Sequence, residues 1–403
     1  MLRCGLLGEK LGHSYSPQIH ALLADYSYQL YPCPREQLDA FLRRGEWDAL
    51  NVTIPYKKDV VPYCTVLSDT AKRLGSVNTL VRLPDGGLLG DNTDAFGFEQ
   101  MLAQSGIEVG GKKVLVLGSG GASVTVCHVL QQHGAQTVVI SRTGEDNYQN
   151  LHRHADARLI VNTTPVGMFP DNGQSPLDLS AFAALEGVLD VIYNPARTAL
   201  LMQAQQRGLV AVNGLRMLVA QAKRSSEIFT GKTLPDDEID RVERALADAM
   251  QNIVLIGMPG CGKSTVAALL GQRLGRPVYE ADELIAQKAG MSISEIFATH
   301  GEAYFRDLET QVLAELGKLS GAVISTGGGC VLHRRNYPLL HQNGRIVWLQ
   351  RDIDKLARDG RPLSQGADLA AMYRERAPLY ASFADDTVAV NEDPAQAAAA
   401  IMS

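Results

Sequence analysis

The chain has 403 residues, and since a domain holds about 150 residues, this length predicts two or three domains. Hydrophobic residues make up 45% and charged residues 20%, a composition that excludes collagen, coiled coil and wholesale disorder. The net charge of -6 provides no overall field that would attract nucleic acid. The longest apolar runs are far shorter than the roughly 18 residues of a membrane span, and residues 1–16 lack the apolar core of a signal peptide. We therefore expect a cytoplasmic protein with neither nucleic acid nor a membrane as a partner.

The six cysteines are scattered along the chain, with no pair at a two-residue spacing and no cluster of histidines beside them. Such spacing predicts neither a zinc site nor a disulfide framework. In a reducing compartment we expect all six to be small buried side chains.

Short β-branched or Leu-rich runs alternate with helical patterns from end to end. This alternation predicts an α/β fold of parallel sheets covered by helices. The strand candidates are residues 114–117, 137–140, 159–161, 188–192, 209–212 and 253–256.

The two series of strands are separated by a predicted closing helix. Its acidic start at residues 235–238 is followed by Ile239, Val242, Leu246 and Ala249 at helical spacing. A new strand begins at once, without a flexible linker, which places a domain boundary near residues 250 and 251. The alanines at 397–400 fit a terminal helix.

Residues 257–265 read GMPGCGKST, which matches the phosphate-binding pattern GxxxxGK[ST] between an apolar strand and the helical run 266–274. In such a loop the glycines let backbone N–H groups surround phosphate oxygens, Lys263 neutralises the β and γ charges, and the Ser264 hydroxyl can bind Mg²⁺. We predict a nucleoside triphosphate site formed by Gly260, Cys261, Gly262, Lys263, Ser264 and Thr265.

Several motifs after this loop suggest what the nucleotide phosphorylates. They are YEAD at 279–282 at the end of the next strand, FRDLE at 305–309 at the start of a helix, GGG at 327–329 after a strand, RPL at 361–363 and RAPLY at 376–380. Together they resemble shikimate kinase over nearly all of residues 252–403.

This resemblance implies a role for four residues at the acceptor. Asp282 would hold and activate the shikimate hydroxyl, Arg306 and Arg376 would bind the shikimate carboxylate, and Gly328 would bring its backbone against the ring. The chemistry suits these residue types, because an Arg fork matches a carboxylate and a carboxylate can orient a hydroxyl for in-line attack.

The resemblance also implies residues at the ATP and magnesium end. Arg358 would lie near the adenine and Arg361 near the phosphates, although only two residues separate them, a shorter lid than the family has. Ser264 and Glu280 would hold Mg²⁺. Glu280 stands where the family usually has Asp, so the carboxylate is displaced by one methylene.

A second nucleotide signature lies earlier in the chain, where an apolar strand runs into Gly118-Ser119-Gly120-Gly121-Ala122 and a helical pattern. The turn is typical of dinucleotide binding, with Ser123 where the fingerprint has Gly or Ala. The next strand ends in Ser141-Arg142-Thr143, where an NAD enzyme typically has an acid for the ribose 2′-hydroxyl. Arg142 instead suits the 2′-phosphate of NADP, while Glu145 and Asp146 add negative charge and leave an ordinary turn arginine as the alternative.

Polar motifs also end the apolar runs on both sides of this turn. They are HSYSP at 13–17, NVTIPYK at 51–57, VNT at 77–79, GDNTD at 90–94, NTTPVGM at 162–168, Tyr193, and NGLRMLVAQ at 213–221. Together with the glycine turn they resemble shikimate dehydrogenase from residue 3 to about residue 250.

This second resemblance implies a substrate pocket and a divided substrate domain. Its substrate-binding residues would be Ser14 and Ser16 at the carboxylate, with Thr53, Asn78, Tyr193 and Gln221 completing the pocket. Lys57 and Asp94 would be the catalytic pair, and Gly214 would adjoin the cofactor. The helices after Gly214 would return to the amino-terminal domain, which gives residues 1–97 with 214–250 as substrate domain, 98–213 as NADP domain and 251–403 as kinase domain.

The chemistry of reduction explains why a lysine and an aspartate are needed. Hydride transfer to a ketone leaves negative charge on the oxygen, which requires a proton donor within hydrogen-bond reach. Lys57 can supply that proton, and Asp94 can orient Lys57 and keep it charged until transfer.

The favoured hypothesis is a bifunctional enzyme of aromatic amino acid biosynthesis. NADPH would reduce 3-dehydroshikimate to shikimate, and ATP with Mg²⁺ would phosphorylate shikimate to shikimate 3-phosphate. One alternative is a polyol dehydrogenase acting on quinate. Another is a nucleotide-sensing module with degenerate sites, which would predict loss of chemical residues, yet Lys57, Asp94, Lys263 and Asp282 are all present. The oligomeric state is left open.

Overall fold

The computed structural model describes residues 1–12, 14–356, 368–390 and 393–402. Within them the predicted α/β fold is confirmed: helices alternate with strands that form three sheets. The chain divides into two compact units. Unit 1 holds the described residues of 1–166, 175–193 and 200–246, and unit 2 holds 167–174, 194–199 and the described residues from 247 onward.

The first sheet of unit 1 has six strands in the order β2-β1-β3-β5-β6-β4. Its strands are β1 (Arg3–Gly8), β2 (Ser27–Pro32), β3 (Ala49–Val52), β4 (Val66–Leu67), β5 (Thr79–Arg82) and β6 (Leu88–Asp91). The expectation of parallel sheets is wrong here, because β5 runs antiparallel to both β3 and β6. The reason is local: residues 83–87, LPDGG, form a short hairpin connection, whereas a parallel pair needs a long crossover.

The second sheet of unit 1 is entirely parallel, with the order β11-β10-β9-β7-β8. Its strands are β7 (Lys113–Leu117), β8 (Gln136–Ile140), β9 (Leu159–Asn162), β10 (Gly187–Asp190) and β11 (Val210–Asn213). All five predicted strands are present. The strand predicted for 188–192 ends early because Asp190 Oδ1 accepts a hydrogen bond from the Ile192 amide at 3.1 Å, which turns the chain.

Eight α-helices lie in the described part of the first 250 residues. They are α1 (Ser16–Leu23), α2 (Leu38–Arg44), α3 (Asp69–Leu74), α4 (Asp94–Ser105), α5 (Gly121–Gln132), α6 (Ala199–Gln206), α7 (Leu215–Thr230) and α8 (Asp237–Met250). Helix α7 returns to α4 and α1. It approaches α4 so closely that a Cβ on Gly97 would lie 2.6 Å from the Met217 carbonyl oxygen.

The third sheet lies in unit 2 and is parallel, with the order β13-β14-β12-β15-β16. Its strands are β12 (Asn252–Ile256), β13 (Val278–Glu280), β14 (Val323–Ser325), β15 (Gly344–Gln350) and β16 (Asp386–Ala389). The central β12 is fully buried, as its continuous apolar sequence predicts. The loop at residues 257–265 follows β12, and the glycines at 327–329 come shortly after the buried strand β14.

The helices of unit 2 are α9 (Lys263–Leu274), α10 (Ala281–Ala289), α11 (Ile293–Leu316), α12 (Asn336–His341), α13 (Leu369–Phe383) and α14 (Pro394–Met402). The alanine run lies in α14, as expected. Helix α11 is interrupted at Gly301, whose φ of 79° lies in the left-handed region. Residues 305–309, which the sequence predicts at the start of a helix, lie in the first turns of the part of α11 that follows this interruption.

Unit 2 includes two short segments from earlier in the chain, 167–174 and 194–199. The Ala196 amide donates to Asn343 Oδ1 at 2.8 Å, and the Arg197 guanidinium donates to the His341 carbonyl at 2.8 Å. The two compact units therefore differ from the predicted domains, since these two segments of unit 2 lie within the predicted NADP domain, residues 98–213.

All six cysteines are free thiols; Cys4, Cys33, Cys261 and Cys330 are buried, and the other two are half-buried. Among the residues that the structure describes, no helix combines the length and the apolar character needed to cross a lipid bilayer.

Candidate active sites

Lys57 and Asp94 form an ion pair at the edge of the first sheet. Lys57 follows β3, and Asp94 is the first residue of α4, directly after β6. The Lys57 amino group donates to Asp94 Oδ2 at 2.5 Å, and the two side chains are 30% and 18% exposed. The pair is thus partly shielded yet reachable, as a proton donor and its orienting carboxylate must be.

Asn78 holds the other oxygen of Asp94. Its Nδ2 donates to Asp94 Oδ1 at 2.9 Å, while its Oδ1 accepts from the Thr93 amide at 2.8 Å and from the Thr79 hydroxyl at 3.0 Å. These two donors fix which side of the amide faces Asp94. Both oxygens of the carboxylate are therefore engaged, and its plane is set from two directions.

A buried serine on α7 links the strand ends beneath this pair. Ser225 Oγ accepts from Asn51 Nδ2 at 2.8 Å and lies 2.9 Å from Thr79 Oγ1 and 3.0 Å from Thr93 Oγ1. Sequence reasoning named neither Ser225 nor Thr79. Thr79 lies inside the quoted VNT motif, and Ser225 follows Gln221 by four residues, on the same helix face.

The other predicted substrate residues lie on three different elements. Ser16 begins α1, is buried, and donates its amide to Ser14 Oγ at 3.2 Å. Thr53 is half-buried just after β3. Gln221, on α7, has its Oε1 3.5 Å from Thr93 Oγ1, beside Asp94.

Tyr193 follows β10, and its ring packs edge-on against Tyr15 with the centroids 6.0 Å apart. Burial raises the pKa of Tyr193 above its ordinary value, so the hydroxyl is a neutral donor at physiological pH. The structure brings Tyr193 beside the Ser14–Ser16 turn and brings Gln221 and Asn78 beside Asp94.

The predicted dinucleotide turn connects β7 to α5. Gly118 has a φ of 104°, which favours glycine, and a Cβ there would lie 2.9 Å from Thr163 Oγ1. Gly120 and Gly121 differ, since a Cβ on either would meet no atom within 4 Å. Ser119 and Ala122 are exposed as well, so the amino end of α5 is an open cradle of the kind that binds a pyrophosphate.

The segment after β8 carries an exposed cation, Arg142, and two acids, Glu145 and Asp146. Arg142 and Thr143 are exposed, and Arg142 makes no ion pair within the described parts of the chain. The Asp146 carboxylate lies 2.8 Å from His154 Nε2, while its backbone oxygen accepts from the Ser141 amide. The Asp146 carboxylate, whose negative charge would repel a phosphate, thus faces His154.

Gly214, predicted near the cofactor, is explained by packing. It precedes α7, and a Cβ at this position would lie 2.0 Å from the carbonyl oxygen of Val191. Glycine is therefore required for the close approach of the start of α7 to the segment just after β10, whether or not a cofactor adjoins it.

The phosphate-binding loop of unit 2 joins β12 to α9. Gly257, Gly260 and Gly262 have φ of 144°, 84° and 103°, all in the region that favours glycine. The Lys263 amino group donates to the carbonyls of Gly257 and Met258 at 2.9 and 3.1 Å. Cys261 is buried, and Thr265 is exposed at the start of α9. The loop therefore has the cradle shape that the sequence predicts, and the Lys263 side chain lies against its carbonyl groups.

Ser264 and Glu280 are neighbours, with the Ser264 hydroxyl donating to Glu280 Oε2 at 3.1 Å. Burial raises the pKa of Glu280, so a cation beside it would be favourable. Within the described residues no three His, Cys, Asp or Glu side chains are grouped to hold a metal. An oxygen pair of this kind suits Mg²⁺, which takes one or two protein ligands and completes its shell with phosphate and water.

A cavity of about 510 Å³ adjoins this loop. The predicted residues that line it are Lys263, Ser264, Glu280, Asp282, Arg306, Gly328 and Arg376. Arg376 Nη1 donates to the Gly328 carbonyl at 3.2 Å, and Tyr380 donates to the same oxygen. The acceptor and nucleotide ends of the predicted site are thus parts of one cavity.

Glu309 is a buried carboxyl in this cavity that sequence reasoning did not name. Its Oε2 accepts from Arg306 Nη1 at 2.9 Å, and its Oε1 has no hydrogen-bond partner among the described residues. Burial raises its pKa to about 7, against the attraction of Arg306. The sequence feature that could have identified Glu309 is its position in FRDLE, three residues after Arg306 on the same helix face.

Arg306 is also held by Glu302, whose Oε1 accepts from its Nη2 at 3.1 Å. Arg358 and Arg361, predicted at the adenine and the phosphates, lie outside the described residues.

Two family models match this chain. The model for shikimate kinase matches residues 259–403, and the model for the shikimate dehydrogenase substrate binding domain matches residues 6–80. The first covers residues 259–265 of the phosphate loop and the residues that line the cavity, and the second covers the segments that carry Lys57 and Asn78.

Comparisons with whole relatives and with solved structures match about 60% of this chain. A shikimate dehydrogenase (NADP(+)) from Oleidesulfovibrio alaskensis is 37% identical over 270 residues, which span 61% of this chain and 95% of the relative. The structure of shikimate 5-dehydrogenase from Thermus thermophilus in complex with NADP(H) and shikimate is similar with a TM-score of 0.55 and 32% identity, covering 61% of this chain and 99% of that one. Quinate dehydrogenase from Corynebacterium glutamicum, in complex with NAD, has a TM-score of 0.54 and 28% identity, covering 60% and 97%.

Proposed function

Because the chain belongs to the shikimate dehydrogenase family and ends in a shikimate kinase domain, we propose that it catalyses two consecutive reactions. The first is the NADPH-dependent reduction of 3-dehydroshikimate to shikimate. The second is the phosphorylation of shikimate by ATP to shikimate 3-phosphate. Because the product of the first reaction is the substrate of the second, there is a chemical reason for both activities to be present in one chain.

The observation that carries the reductase proposal is the ion pair of Lys57 and Asp94. The Gly118 turn would hold NADPH, which would supply the hydride for the carbonyl carbon. As charge develops on the carbonyl oxygen, Lys57 Nζ would donate a proton to it, and Asp94 would hold the amino group in position. Asn78 holds Asp94 from its other oxygen.

The remaining pocket residues would recognise the rest of the substrate. Hydroxyl groups of Ser14 and Ser16 and the neutral phenol of Tyr193 are hydrogen-bond donors for a carboxylate. Thr53 and Gln221 offer partners for ring hydroxyls. Arg142, exposed and without an acidic partner among the described residues, would bind the 2′-phosphate that distinguishes NADP from NAD.

For the kinase, the proposal is supported by the single cavity that holds groups for both substrates. Asp282 would orient the attacking hydroxyl, and Arg306 and Arg376 would bind the carboxylate of shikimate. Lys263 would neutralise the β and γ phosphates, and Ser264 with Glu280 would hold Mg²⁺, which neutralises charge on the transferred group. The backbone of Gly328 would lie against the ring.

One coupled assay tests both activities. The full chain is supplied with 3-dehydroshikimate, NADPH and Mg-ATP, and shikimate and shikimate 3-phosphate are separated by chromatography and identified by mass. We expect shikimate 3-phosphate to form only when both NADPH and ATP are present. Absence of shikimate without ATP contradicts the reductase assignment, and accumulation of shikimate with ATP contradicts the kinase assignment.

Quinate is a second candidate substrate for the front part, since one structural neighbour is a quinate dehydrogenase. The same preparation is assayed in the oxidative direction with shikimate and with quinate, each with NADP and NAD. A higher kcat/KM for quinate would replace the first proposed reaction with quinate oxidation and would leave the kinase proposal unaffected.

A further inference from the structure

Arg351 lies at the edge of the unit 2 sheet where the phosphate loop lies. It directly follows β15, which pairs in parallel with β12, with Ile256 opposite Trp348. Parallel neighbours end on the same edge of a sheet, so the residue after β15 and the loop after β12 are neighbours. Their contact is close, since a Cβ on Gly257 would lie 2.6 Å from the Leu349 carbonyl oxygen.

The guanidinium of Arg351 reaches the last glycine of the loop. A Cβ built on Gly262 would lie 4.0 Å from Arg351 Nη1. Gly262 immediately precedes α9, so its neighbourhood is also the positive end of that helix. Two positive features, a guanidinium and a helix amino terminus, therefore adjoin the same loop residue.

Arg351 has no acidic partner in the part of the chain that the structure describes. Its Nε is buried there without a hydrogen bond. Three other cations near the loop and the cavity have partners among the described residues: Lys263 donates to carbonyls of the loop, Arg306 to Glu302 and Glu309, and Arg376 to the Gly328 carbonyl, although Arg376 Nε is also buried without a partner. Arg345, at the opposite end of β15, is paired with Asp386 at 2.6 Å.

A half-buried guanidinium without a counter-ion is unfavourable unless an anion arrives to pair with it. The anion must be one that the phosphate loop also attracts, and a phosphate matches the fork of an arginine bidentately. We propose that Arg351 binds the phosphate chain of the nucleotide held by residues 257–265. This inference deepens the proposed kinase function and assigns a residue that the sequence motifs do not include.

Equilibrium binding tests the proposal without any turnover. Titration calorimetry of the full chain with Mg-ADP and with adenosine compares wild type with Arg351→Met, which keeps an extended side chain without charge. Since a charged hydrogen bond contributes enough for about a tenfold change in affinity, we expect the Kd for ADP to rise about tenfold or more and the Kd for adenosine to stay unchanged. The control Arg334→Met removes an exposed arginine of the same unit and should leave both affinities unchanged.

Arg351→Lys separates charge from fork geometry, and we expect it to recover part of the ADP affinity. Unchanged binding of ADP by Arg351→Met, or an equal loss for adenosine, overturns the proposal. NADPH-dependent reduction and circular dichroism report whether each variant is folded.

The kinetic arm distinguishes this inference from the proposed function on which it rests. In Arg351→Met we expect the KM for ATP to rise while the KM for shikimate is unchanged. If wild type fails to phosphorylate shikimate yet ADP binding depends on Arg351, the substrate proposal fails and the role of Arg351 stands. If wild type is active and ADP binding is unaffected by the variant, the role of Arg351 fails alone.

Discussion

Lys57 Nζ lies 2.5 Å from Asp94 Oδ2, although the two residues are 37 positions apart. They meet because β3 and β6 both contribute to one sheet and Asn78, between them in the chain, aligns the carboxylate. Without this ion pair Lys57 would be interpreted as an ordinary surface lysine, because it adjoins Lys58 on an exposed turn. The pair is therefore the structural feature that supports a chemical role for Lys57.

Replacement of Lys57 should abolish most of the reduction of 3-dehydroshikimate. Loss of a positioned proton donor typically costs about a hundredfold to ten-thousandfold in rate. We expect Lys57→Ala to lose kcat on this scale while NADPH binding, followed by fluorescence titration, stays near wild type. The exposed neighbour gives a matched control, Lys58→Ala, which should retain full activity. Near wild-type turnover in Lys57→Ala would refute the role.

Arg142→Asp should shift cofactor preference from NADPH toward NADH. The change removes the proposed partner of the 2′-phosphate and places a carboxylate beside the ribose, as NAD enzymes do. The measurement is the ratio of kcat/KM for the two cofactors. Arg153→Asp, an equal change of charge at another exposed arginine, should leave the ratio unchanged. A constant ratio in Arg142→Asp would mean that this side chain does not face the cofactor.

The features that the sequence predicted best are those specified within a few residues. The loop at 257–265 and the turn at 118–122 each join a buried strand to a helix, and glycine at positive φ fixes their shape. The antiparallel β5 was missed because alternation of strands and helices does not report direction. The partners of Asp146 and Ser225 were missed because both depend on side chains that tertiary folding brings near.

The stability of unit 2 should depend on the protonation of Glu309. Burial raises its pKa to about 7, against an ordinary value of 4.5, so the folded state favours the neutral acid. The stabilising effect is complete below about pH 4.5 and is lost as the pH rises through about 7. At one pKa unit per about 1.4 kcal/mol, the loss is about 3 kcal/mol in the free energy of unfolding.

Urea unfolding of wild type and Glu309→Gln between about pH 5 and pH 8 measures this effect. The Gln side chain is neutral throughout, so the difference between the two proteins should change with pH in that window. Glu315→Gln changes an exposed residue of the same helix, α11, and should run parallel to wild type. Parallel curves for Glu309→Gln would show that Glu309 titrates normally.

Lys263→Ala should stop phosphorylation and leave reduction intact. Under the proposed kinase function Lys263 is the cation that would neutralise the β and γ phosphates, so its loss would remove charge stabilisation of the transferred group. With 3-dehydroshikimate, NADPH and Mg-ATP, we expect shikimate to accumulate at the wild-type rate of NADPH oxidation. Lys288→Ala, at an exposed lysine paired with Glu315, should still yield shikimate 3-phosphate. Production of shikimate 3-phosphate by Lys263→Ala would exclude this loop as the ATP site.

The two activities should separate when the chain is divided between residues 250 and 251. Every residue assigned to reduction precedes the cut and every residue assigned to phosphorylation follows it, and both lengths suit autonomous domains. Unit 2, however, also takes in residues 194–199, where Arg197 donates to the His341 carbonyl, and the Gly321 amide donates to the Met250 carbonyl at 2.7 Å.

We therefore expect fragment 251–403 to be active but to unfold at a lower temperature than fragment 237–403, which keeps the whole of α8. Each fragment is expressed alone, assayed, and then mixed with fragment 1–250. If a folded fragment is inactive until the other is added, an active site draws residues from both sides of the cut, and the division into independent catalytic parts is wrong.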